Sequence, residues 1–260
     1  MARVLVTGSD GFIGTHLVEA LRNKHWVEKI DQKSGLDICT SNFGAGYDLV
    51  YHLAALRSVP DSFEKPREFF DTNVYGTYRL LNECKYDKLV NITSSCVKEP
   101  NSPYGMSKYL AECMTQKREN VLNVRPFNVF GEGQIVEGPL VRNFCAAMSK
   151  NEPVQIFGDG EQAKDYTYVK DFVRQLVFIA KNFDRGTFDI GYQQPTSVNT
   201  IFAYLAKEFD YNRKPRYTEK RVGDTSFSRS NDTMKVPMTG LVDGLKRTAE
   251  WWKKETNGKD

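Results

Sequence analysis

The sequence has few residues of the kinds that build disulfide frameworks and metal sites. Its 260 residues include five cysteines and three histidines. The cysteines are scattered, and no two of them form a C-x-x-C pair. An odd, dispersed set of thiols argues against a disulfide scaffold and against a zinc site, and a reducing compartment is the default. We therefore expect neither a structural disulfide nor a bound metal.

Long apolar runs and a charge of one sign are also missing. Glycines interrupt the apolar run in "MARVLVTGSDGFIG" at once, which is typical neither of a signal peptide nor of a membrane span, and no later run is long enough to cross a bilayer. The 36 lysines and arginines against 33 aspartates and glutamates leave a net charge of +3, too balanced to indicate nucleic acid binding. We expect a cytoplasmic protein with no nucleic acid and no membrane partner.

Strands and helices are predicted to alternate through the first half of the chain. Apolar runs rich in β-branched residues predict strands at residues 3–8, 25–31, 47–55, 88–95 and 121–129. Apolar residues at helical spacing predict helices at residues 11–24, 61–84 and 103–119. This alternation predicts an α/β fold, a doubly wound parallel sheet of the Rossmann type with helices on both faces.

The longest of these helices, at residues 61–84, is predicted to be continuous. One face of it would carry the larger apolar side chains together with a threonine: Phe63, Phe70, Val74, Thr77 and Leu81.

After residue 130 the pattern changes to a glycine-rich loop followed by shorter elements. Helices are predicted at 139–151, 170–182, 197–209 and 241–255, with two short strands within 154–169 and one at 186–191. We expect a first domain at 1–130 and a smaller C-terminal α/β cap at 131–260. The strand near 187–191 is expected to return to the first domain.

A glycine motif follows the first predicted strand. In "VLVTGSDGFIGTHL", Gly8, Gly11 and Gly14 stand between a strand and the helix that begins near Phe12 and Ile13. Glycines allow a tight turn and close backbone approach, and the helix N-terminus offers free N–H groups to a pyrophosphate. Three glycines alone are a weak signal, but this placement strongly indicates a dinucleotide site.

An acidic residue ends the second predicted strand. Asp31 can accept both ribose hydroxyls of adenosine, and it would repel a 2′-phosphate by about 4 kcal/mol at ~4 Å and an effective dielectric constant of ~20. NAD is therefore favoured over NADP, although Lys33 is close enough to soften this preference. Gln32, Asp37 and Ile38 are expected beside the adenosine, and a turn-forming role for Asp37 fits equally well.

Ser94, Tyr104 and Lys108 form the candidate chemical centre. Tyr104 and Lys108 are four residues apart on a predicted helix, so they face the same way. A tyrosine must lose about 3 pKa units to act as a base at neutral pH, and a nearby ammonium and a cationic nicotinamide can supply that shift. Ser94 ends a predicted parallel strand, where open α/β sheets bind their ligands.

Several ordered motifs together resemble a known family. The T-G-x-x-G-x-x-G loop, Asp31, "YHLAAL", "NVYGT", Ser94, Tyr104-x-x-x-Lys108 and "RPFNVFG" resemble the extended short-chain dehydrogenase/reductase superfamily. More narrowly, they resemble its NAD-dependent nucleotide-sugar epimerase/dehydratase family, of the UDP-glucose 4-epimerase type. The resemblance runs through almost the whole chain. It implies that a tyrosine removes a sugar hydroxyl proton while hydride passes from the same carbon to NAD.

The resemblance also assigns residues. The NAD site would include Leu53, Ala54, Ala55, Arg57, Asn73, Tyr104, Lys108 and Phe127. The second domain would bind a nucleotide-diphosphate sugar, and the expected contacts are Ser94, Cys96, Asn128, Lys164, Tyr166, Arg221 and Asp224. Lys164 stands where an arginine is usual, and it lacks the bidentate fork of a guanidinium, so altered diphosphate binding is expected.

The residues after Ser94 bear on the reaction that follows oxidation. Dehydratases of the family carry an acid just after the catalytic serine or threonine, whereas this chain has Ser95 and Cys96. The missing acid favours epimerisation at C4. A cysteine two positions after the serine also resembles GDP-fucose synthase and GDP-mannose 3,5-epimerase, which need a His or Lys partner that "NVFGEGQIVEG" does not offer. A third alternative is a non-catalytic NAD-binding protein.

Nine residues separate Ser94 from Tyr104, and relatives carry a longer loop here, often with a tyrosine where Lys98 stands. The short loop predicts a more open sugar pocket and a broader substrate range. Family members often pair through two long helices, so a homodimer is expected. The apolar residues that fit such an interface here are Phe69, Val74, Leu81, Leu110 and Met114.

Overall fold

The computed structural model describes residues 1–44, 46–220, 226–231 and 236–257. The chain forms two compact units. The first comprises Met1–Pro126 and Val173–Asp189, and the second comprises Phe127–Phe172 and Ile190–Asp260. The first unit therefore includes a later segment of the chain, Val173–Asp189, which lies well after residue 130.

A six-stranded sheet forms the centre of the first unit. Its strands are β1 (Arg3–Thr7), β2 (Trp26–Ile30), β3 (Tyr47–His52), β4 (Tyr86–Ile92), β5 (Val121–Pro126) and β10 (Gly186–Ile190). Their order across the sheet is β10-β5-β4-β3-β1-β2. The four pairings among β1 to β5 are parallel, which confirms the doubly wound α/β fold.

The sheet order places a ligand site between two particular strands. The chain runs outward from β1 to β2 and then continues on the other side of β1 with β3. The loops after β1 and β3 therefore diverge at the carboxyl edge of the sheet. In open parallel sheets such a crevice is where ligands bind.

The strand sequences are almost continuously apolar because helices cover both faces of the sheet. Leu5, Val50 and Leu89 lie in the middle of three adjacent strands and are fully buried. Leu80 packs into the same cluster from a helix. Burial of a side chain of this size stabilises the fold by about 1.5–3 kcal/mol.

The described helices are α1 (Phe12–Leu21), α2 (Val59–Glu64), α3 (Pro66–Phe70), α4 (Gly76–Glu83), α5 (Pro103–Thr115), α6 (Leu140–Ser149), α7 (Val169–Asn182), α8 (Val198–Glu208) and α9 (Leu241–Asn257). In the described chain, no helix is both long and apolar enough to cross a bilayer.

The prediction of one continuous helix at 61–84 is wrong. The segment is divided into α2, α3, a π-helical turn (Asp71–Tyr75) and α4. Pro66 has no N–H to donate and disfavours helical geometry in the residue before it. Lys65 accordingly has φ −129° and ψ 51°. Phe63, which was expected on the apolar face, is 48% exposed.

The second unit contains short strands that pair with distant partners. They are β6 (Val129–Phe130), β7 (Gln155–Phe157), β8 (Ala163–Lys164), β9 (Thr167–Tyr168), β11 (Thr196–Ser197) and β12 (Arg216–Thr218). Segment 154–169 was expected to contain two strands, and it contains three. They pair as β7 with β12, β8 with β11 and β9 with β6.

Candidate active site

The glycine loop after β1 lies directly against the loop after β3. Gly8 has φ +70°, a left-handed conformation. A Cβ on Gly8 would lie 2.7 Å from the backbone of Leu53 and Ala54, and a Cβ on Gly14 would lie 2.1 Å from the Gly8 carbonyl oxygen. Real Cβ atoms do not approach so closely. Both positions therefore require glycine for the turn and for helix packing.

Helix α1 begins immediately after this loop with Phe12 and Ile13. Its N-cap residue is Gly11, and no side chain caps the helix. The first N–H groups of a helix have no partner within the helix, and they carry its positive dipole end. A narrow glycine cradle beside an uncapped N-terminus fits the pyrophosphate of a dinucleotide.

Asp31 lies where the second strand ends, as predicted. Its carboxylate accepts hydrogen bonds from the backbone N–H groups of Asp10 and Lys33, each at 2.9 Å. The Lys33 ammonium donates to the Asp10 carbonyl oxygen at 2.9 Å. The lysine that was expected to soften NAD preference is therefore held against the glycine loop.

Asp10, inside the glycine motif, was missed by the sequence reasoning. Its carboxylate forms a 2.6 Å ion pair with Lys29 and accepts a hydrogen bond from Ser34. The hydrogen bond from Lys29 is the main cause that lowers the pKa of Asp10. Asp10 thus fastens the loop to the segment around Asp31. Its position inside the glycine motif could have indicated that Asp10 helps to form the loop.

Asp37 forms a turn in the structure. It accepts hydrogen bonds from the Cys39 backbone N–H and the Gln32 side chain, both at 2.7 Å. The hydrogen bond from Cys39 lowers the pKa of Asp37. Ile38 is buried, and a Cβ on Gly76 would lie 2.8 Å from it. Contact of Gln32, Asp37 and Ile38 with an adenosine stays a prediction.

Asn73 holds the segment after β3 in place. Its amide oxygen accepts from the Leu56 N–H at 2.8 Å, and its amide nitrogen donates to the Leu56 carbonyl at 3.0 Å and to Ser107 at 2.9 Å. Asn73 is buried in the π-helical turn. It therefore links the segment after β3 to α5, and its expected place in the NAD site stays a prediction.

His52 is a structural residue. Its ring nitrogens contact Thr7 at 2.7 Å and Thr77 at 3.0 Å, and the side chain is buried. Burial, with the Lys108 charge adding to it, lowers the pKa of His52 to about 3. The ring is therefore neutral at physiological pH and carries no proton for chemistry.

The Ser94 side chain lies close enough to Tyr104 to act on its phenol and lower its pKa. The Ser94 hydroxyl also accepts from the Cys96 N–H at 3.2 Å and so caps the short 3₁₀ turn Ser95–Lys98. On the other side of Tyr104, the Phe69 ring packs edge-on at 6.3 Å between ring centroids. The strand end, the turn and the helix predicted from sequence therefore meet at Tyr104.

Lys108 faces the same way as Tyr104 on α5 and is buried. Its ammonium donates to the Ile92 carbonyl at the end of β4, at 2.6 Å. Burial lowers the pKa of Lys108 to about 8, and the Glu112 carboxylate opposes this shift. An ammonium held at the strand end can orient a ligand hydroxyl and supply positive charge to the site.

The pKa of Tyr104 is raised in the protein, chiefly by burial and further by the Cys96 charge. The Ser94 side chain and the Arg57 charge act in the opposite direction. Lys108 was expected to lower this pKa, whereas the protein cation that does so is Arg57. Tyr104 therefore rests as a neutral phenol, and burial also lowers the pKa of Arg57.

The second unit contains a cavity of about 220 Å³. Three residues that were predicted to bind the substrate, Asn128, Lys164 and Tyr166, line it. Five further polar or small lining residues were missed by the sequence reasoning: Gln134, Gly138, Asn143, Gln155 and Gln162. No motif marks these residues, which come from the segment 134–143 and from two later positions, Gln155 and Gln162.

Asp165, between two of the lining residues, is completely buried. Its carboxylate accepts from the backbone of Tyr192, Gln193 and Ser230 and from the Ser230 hydroxyl, at 2.7–3.1 Å. Its carbonyl accepts from the Asn128 amide at 2.8 Å. Asp165 thereby fixes the wall of the cavity.

Phe127 is buried within the second unit, where its N–H donates to the Ile190 carbonyl at 3.0 Å. Arg221 and Asp224, the remaining predicted substrate contacts, lie outside the described residues. Their roles, and the contact of Phe127 with a nicotinamide, stay predictions.

The chain matches the sequence model of the NAD dependent epimerase/dehydratase family over residues 4–191. UDP-glucose 4-epimerase from Thermotoga maritima, solved with UDP-glucose, is 29% identical with a TM-score of 0.87 over 98% of this chain and 99% of that one. MoeE5, solved with UDP-glucose and NAD, is 30% identical with a TM-score of 0.89 over 98% and 99%. The dTDP-D-glucose 4,6-dehydratase of Mus musculus is 27% identical over 317 residues, 97% of this chain and 89% of that protein.

Proposed function

This chain belongs to the NAD dependent epimerase/dehydratase family, and we propose that it is an epimerase that inverts C4 of a UDP-hexose. NAD is the cofactor of the family. The observation that carries the proposal is the Ser94–Tyr104 contact at the end of β4, with Lys108 beside it and no carboxylate at positions 95 and 96. Such a site can move a proton without an acid to expel water.

Ser94 would hold the O4 hydroxyl of the sugar, and Tyr104 would take its proton. Bound NAD would supply a reversible hydride acceptor for C4. Tyr104 then gives the proton back to the oxygen of the 4-keto sugar, after the sugar has turned its other face to the site. No atom is gained or lost, and the product differs from the substrate only at C4.

The protonation state of Tyr104 suits one half of this cycle directly. A phenol with a raised pKa is ready to donate a proton to a keto oxygen. The other half needs positive charge that favours the phenolate of Tyr104, and the guanidinium of Arg57 supplies it. Enzymes use such opposed influences to place a catalytic pKa near the working pH.

The cavity of the second unit would bind the nucleotide diphosphate. Lys164 can neutralise phosphate charge, and the amides that line the cavity offer both donors and acceptors to a base. UDP-glucose binds the two solved relatives, which supports a uridine nucleotide here. Because Lys164 makes point-charge contacts, we expect the diphosphate to be held by fewer directional hydrogen bonds than an arginine would give.

A panel of UDP-glucose, UDP-N-acetylglucosamine and GDP-mannose tests this function. We expect interconversion of a UDP-hexose with its C4 epimer and no net consumption of NAD. A short Ser94–Tyr104 connection predicts activity on more than one sugar. NAD binding without conversion of any nucleotide sugar would instead support a non-catalytic NAD-binding protein.

A second candidate function follows from Cys96. Cys96 lies close enough to Tyr104 for the charge of its thiolate form to raise the pKa of the tyrosine. A cysteine there could move protons at the carbons beside a ketone, as in a 3,5-epimerase or an NADP-dependent reductase. Solvent deuterium entering C3 or C5, or net oxidation of NADPH, would favour this candidate over C4 inversion.

We also propose that the protein forms a homodimer. Of the residues expected at the interface, Phe69 and Leu81 are buried within the first unit, while Leu110 is exposed. Other exposed apolar side chains of the same helices and the π-helical turn support the proposal: Tyr75, Tyr78, Met106 and Tyr109. Light scattering should give twice the chain mass, and Tyr78→Glu should shift it to the monomer. A monomeric wild type would contradict the proposal.

A further inference from the structure

A charged residue ends the first turn of the short segment between Ser94 and Tyr104. Lys98 is the last residue of the 3₁₀ turn that Ser94 caps. Its ammonium lies 2.5 Å from the carboxylate of Asp189 on β10. Asp189 is buried, so its charge is poorly hydrated and depends on such partners.

The contact continues into a chain of alternating charges. Asp189 also lies 3.8 Å from the Arg125 guanidinium at the end of β5. Arg125 donates in turn to both carboxylate oxygens of Glu112, at 3.0 and 3.2 Å through Nε. Glu112 is buried on α5, one helical turn after Lys108. This series of charged contacts therefore connects the turn of Ser94 with the helix that carries Tyr104 and Lys108.

The turn has little stability of its own. A 3₁₀ turn of four residues has poor hydrogen-bond geometry and persists only where tertiary contacts fix it. On the helix side, Gly105 leaves room for the connection, since a Cβ there would lie 3.2 Å from Pro100 and 3.5 Å from the Cys96 carbonyl. At the end of the turn that Ser94 does not cap, the ion pair of Lys98 with Asp189 provides such a tertiary contact.

We propose that Lys98 is a positioning residue, and that its ion pair with Asp189 holds the Ser94 turn against the helix that carries Tyr104. In this proposal, Lys98 takes no part in the proton transfer itself. It acts through the turn, because Ser94 caps the end opposite to Lys98. A buried carboxylate that binds the lysine on one side and Arg125 on the other fixes the position of the turn relative to the sheet.

Lys98→Met tests the proposal and keeps most of the aliphatic stem. We expect kcat to fall about tenfold, since small misplacements of a catalytic group are costly, while the Kd for NAD stays within about twofold. Lys98→Arg should restore most of the loss because its guanidinium can still meet Asp189. In the double variant Lys98→Met/Asp189→Asn, the loss should not exceed that of the more damaging single change.

Lys88 provides a matched control near the other end of β4. Its ammonium pairs with Asp184 at 2.8 Å and donates to the Ala180 and Phe183 carbonyls. Lys88→Met removes an ion pair between comparable segments without touching the turn. We expect it to change stability and to leave kcat within about twofold. An equal fall of kcat in Lys88→Met would overturn a specific role for Lys98.

The kinetic readout rests on the proposed function, so a second readout uses no substrate. The amides of Cys96 and Val97 donate to the Ser94 hydroxyl and carbonyl at 3.2 Å each. Hydrogen exchange of these amides in the NAD-bound protein should become about tenfold faster in Lys98→Met and stay unchanged in Lys88→Met. Unchanged exchange in Lys98→Met would refute the inference even if every nucleotide sugar proved inert. Faster exchange with an inactive wild type would refute only the proposed function.

Discussion

The two halves of the active edge of the sheet are built in different ways. At the carboxyl ends of β1 and β3, the candidate NAD site is made of backbone, with Gly8 and Gly14 in positions that exclude a Cβ. At the ends of β4 and β5, the candidate reaction site is made of charged and hydroxyl side chains, and the ion pair of Lys98 with Asp189 that supports it joins residues far apart in sequence. The first half depends on shape, and the second on the placement of charge.

This difference explains which parts could be predicted. The glycine motif, Asp31 and the Tyr104–Lys108 spacing are local, so the sequence predicts them together with the strands that carry them. The Lys98–Asp189 pair joins residues 91 positions apart, and no periodicity indicates it. The break in the predicted long helix did have a local signal, Pro66. The prediction of one helix followed the apolar pattern of the segment instead.

Tyr104→Phe should have the largest effect on the reaction half. It removes the hydroxyl that carries the proton, and loss of a general acid–base lowers kcat by about 10²–10⁴-fold. NAD binding should change little, because the glycine cradle is untouched. The measurement is kcat with the best UDP-hexose and NAD titration of the same samples. Tyr204→Phe, at an exposed tyrosine of α8 with no assigned role, is the control and should behave as wild type.

Asp31→Ser should be the strongest change in the cofactor half that leaves the fold intact. Removing the carboxylate removes a repulsion of up to about 4 kcal/mol toward a 2′-phosphate. Binding of NADP should therefore improve relative to NAD by about 10- to 100-fold, measured as the ratio of the two dissociation constants. Glu19→Ser, which removes an exposed carboxylate of α1 outside the predicted adenosine contacts, controls for loss of negative charge. An equal change in the control would show that general charge, and not Asp31, sets the preference.

Lys108 makes the stability of the reaction half depend on pH. Its folded pKa of about 8 lies below its ordinary value of 10.5, so the unfolded chain binds more protons between these values. The burial cost is fully present below pH 8 and is relieved as pH rises toward 10.5. The stability of wild type relative to Lys108→Met should therefore rise by up to about 3 kcal/mol between pH 7 and pH 10. Chemical denaturation at both pH values measures it, and a falling difference would contradict the assignment.

Gly14→Ala should disturb the fit of the glycine loop and lower the stability of the fold. The new methyl would overlap the Gly8 carbonyl at 2.1 Å, and overpacking of this kind typically costs about 1–3 kcal/mol. Weaker NAD binding should accompany the lower free energy of unfolding, because the loop must shift. Gly35→Asn is the control, since nothing lies within 4 Å of its Cβ position and asparagine tolerates its left-handed backbone.

Transfer of the C4 hydrogen within one active site is the central claim, and isotopic labelling tests it most directly. UDP-glucose labelled with deuterium at C4 should give a C4 epimer that retains the deuterium at C4, with no solvent hydrogen entering any carbon. Deuterium lost from C4, or solvent hydrogen appearing at C3 or C5, would contradict C4 inversion through Tyr104 and favour chemistry at Cys96.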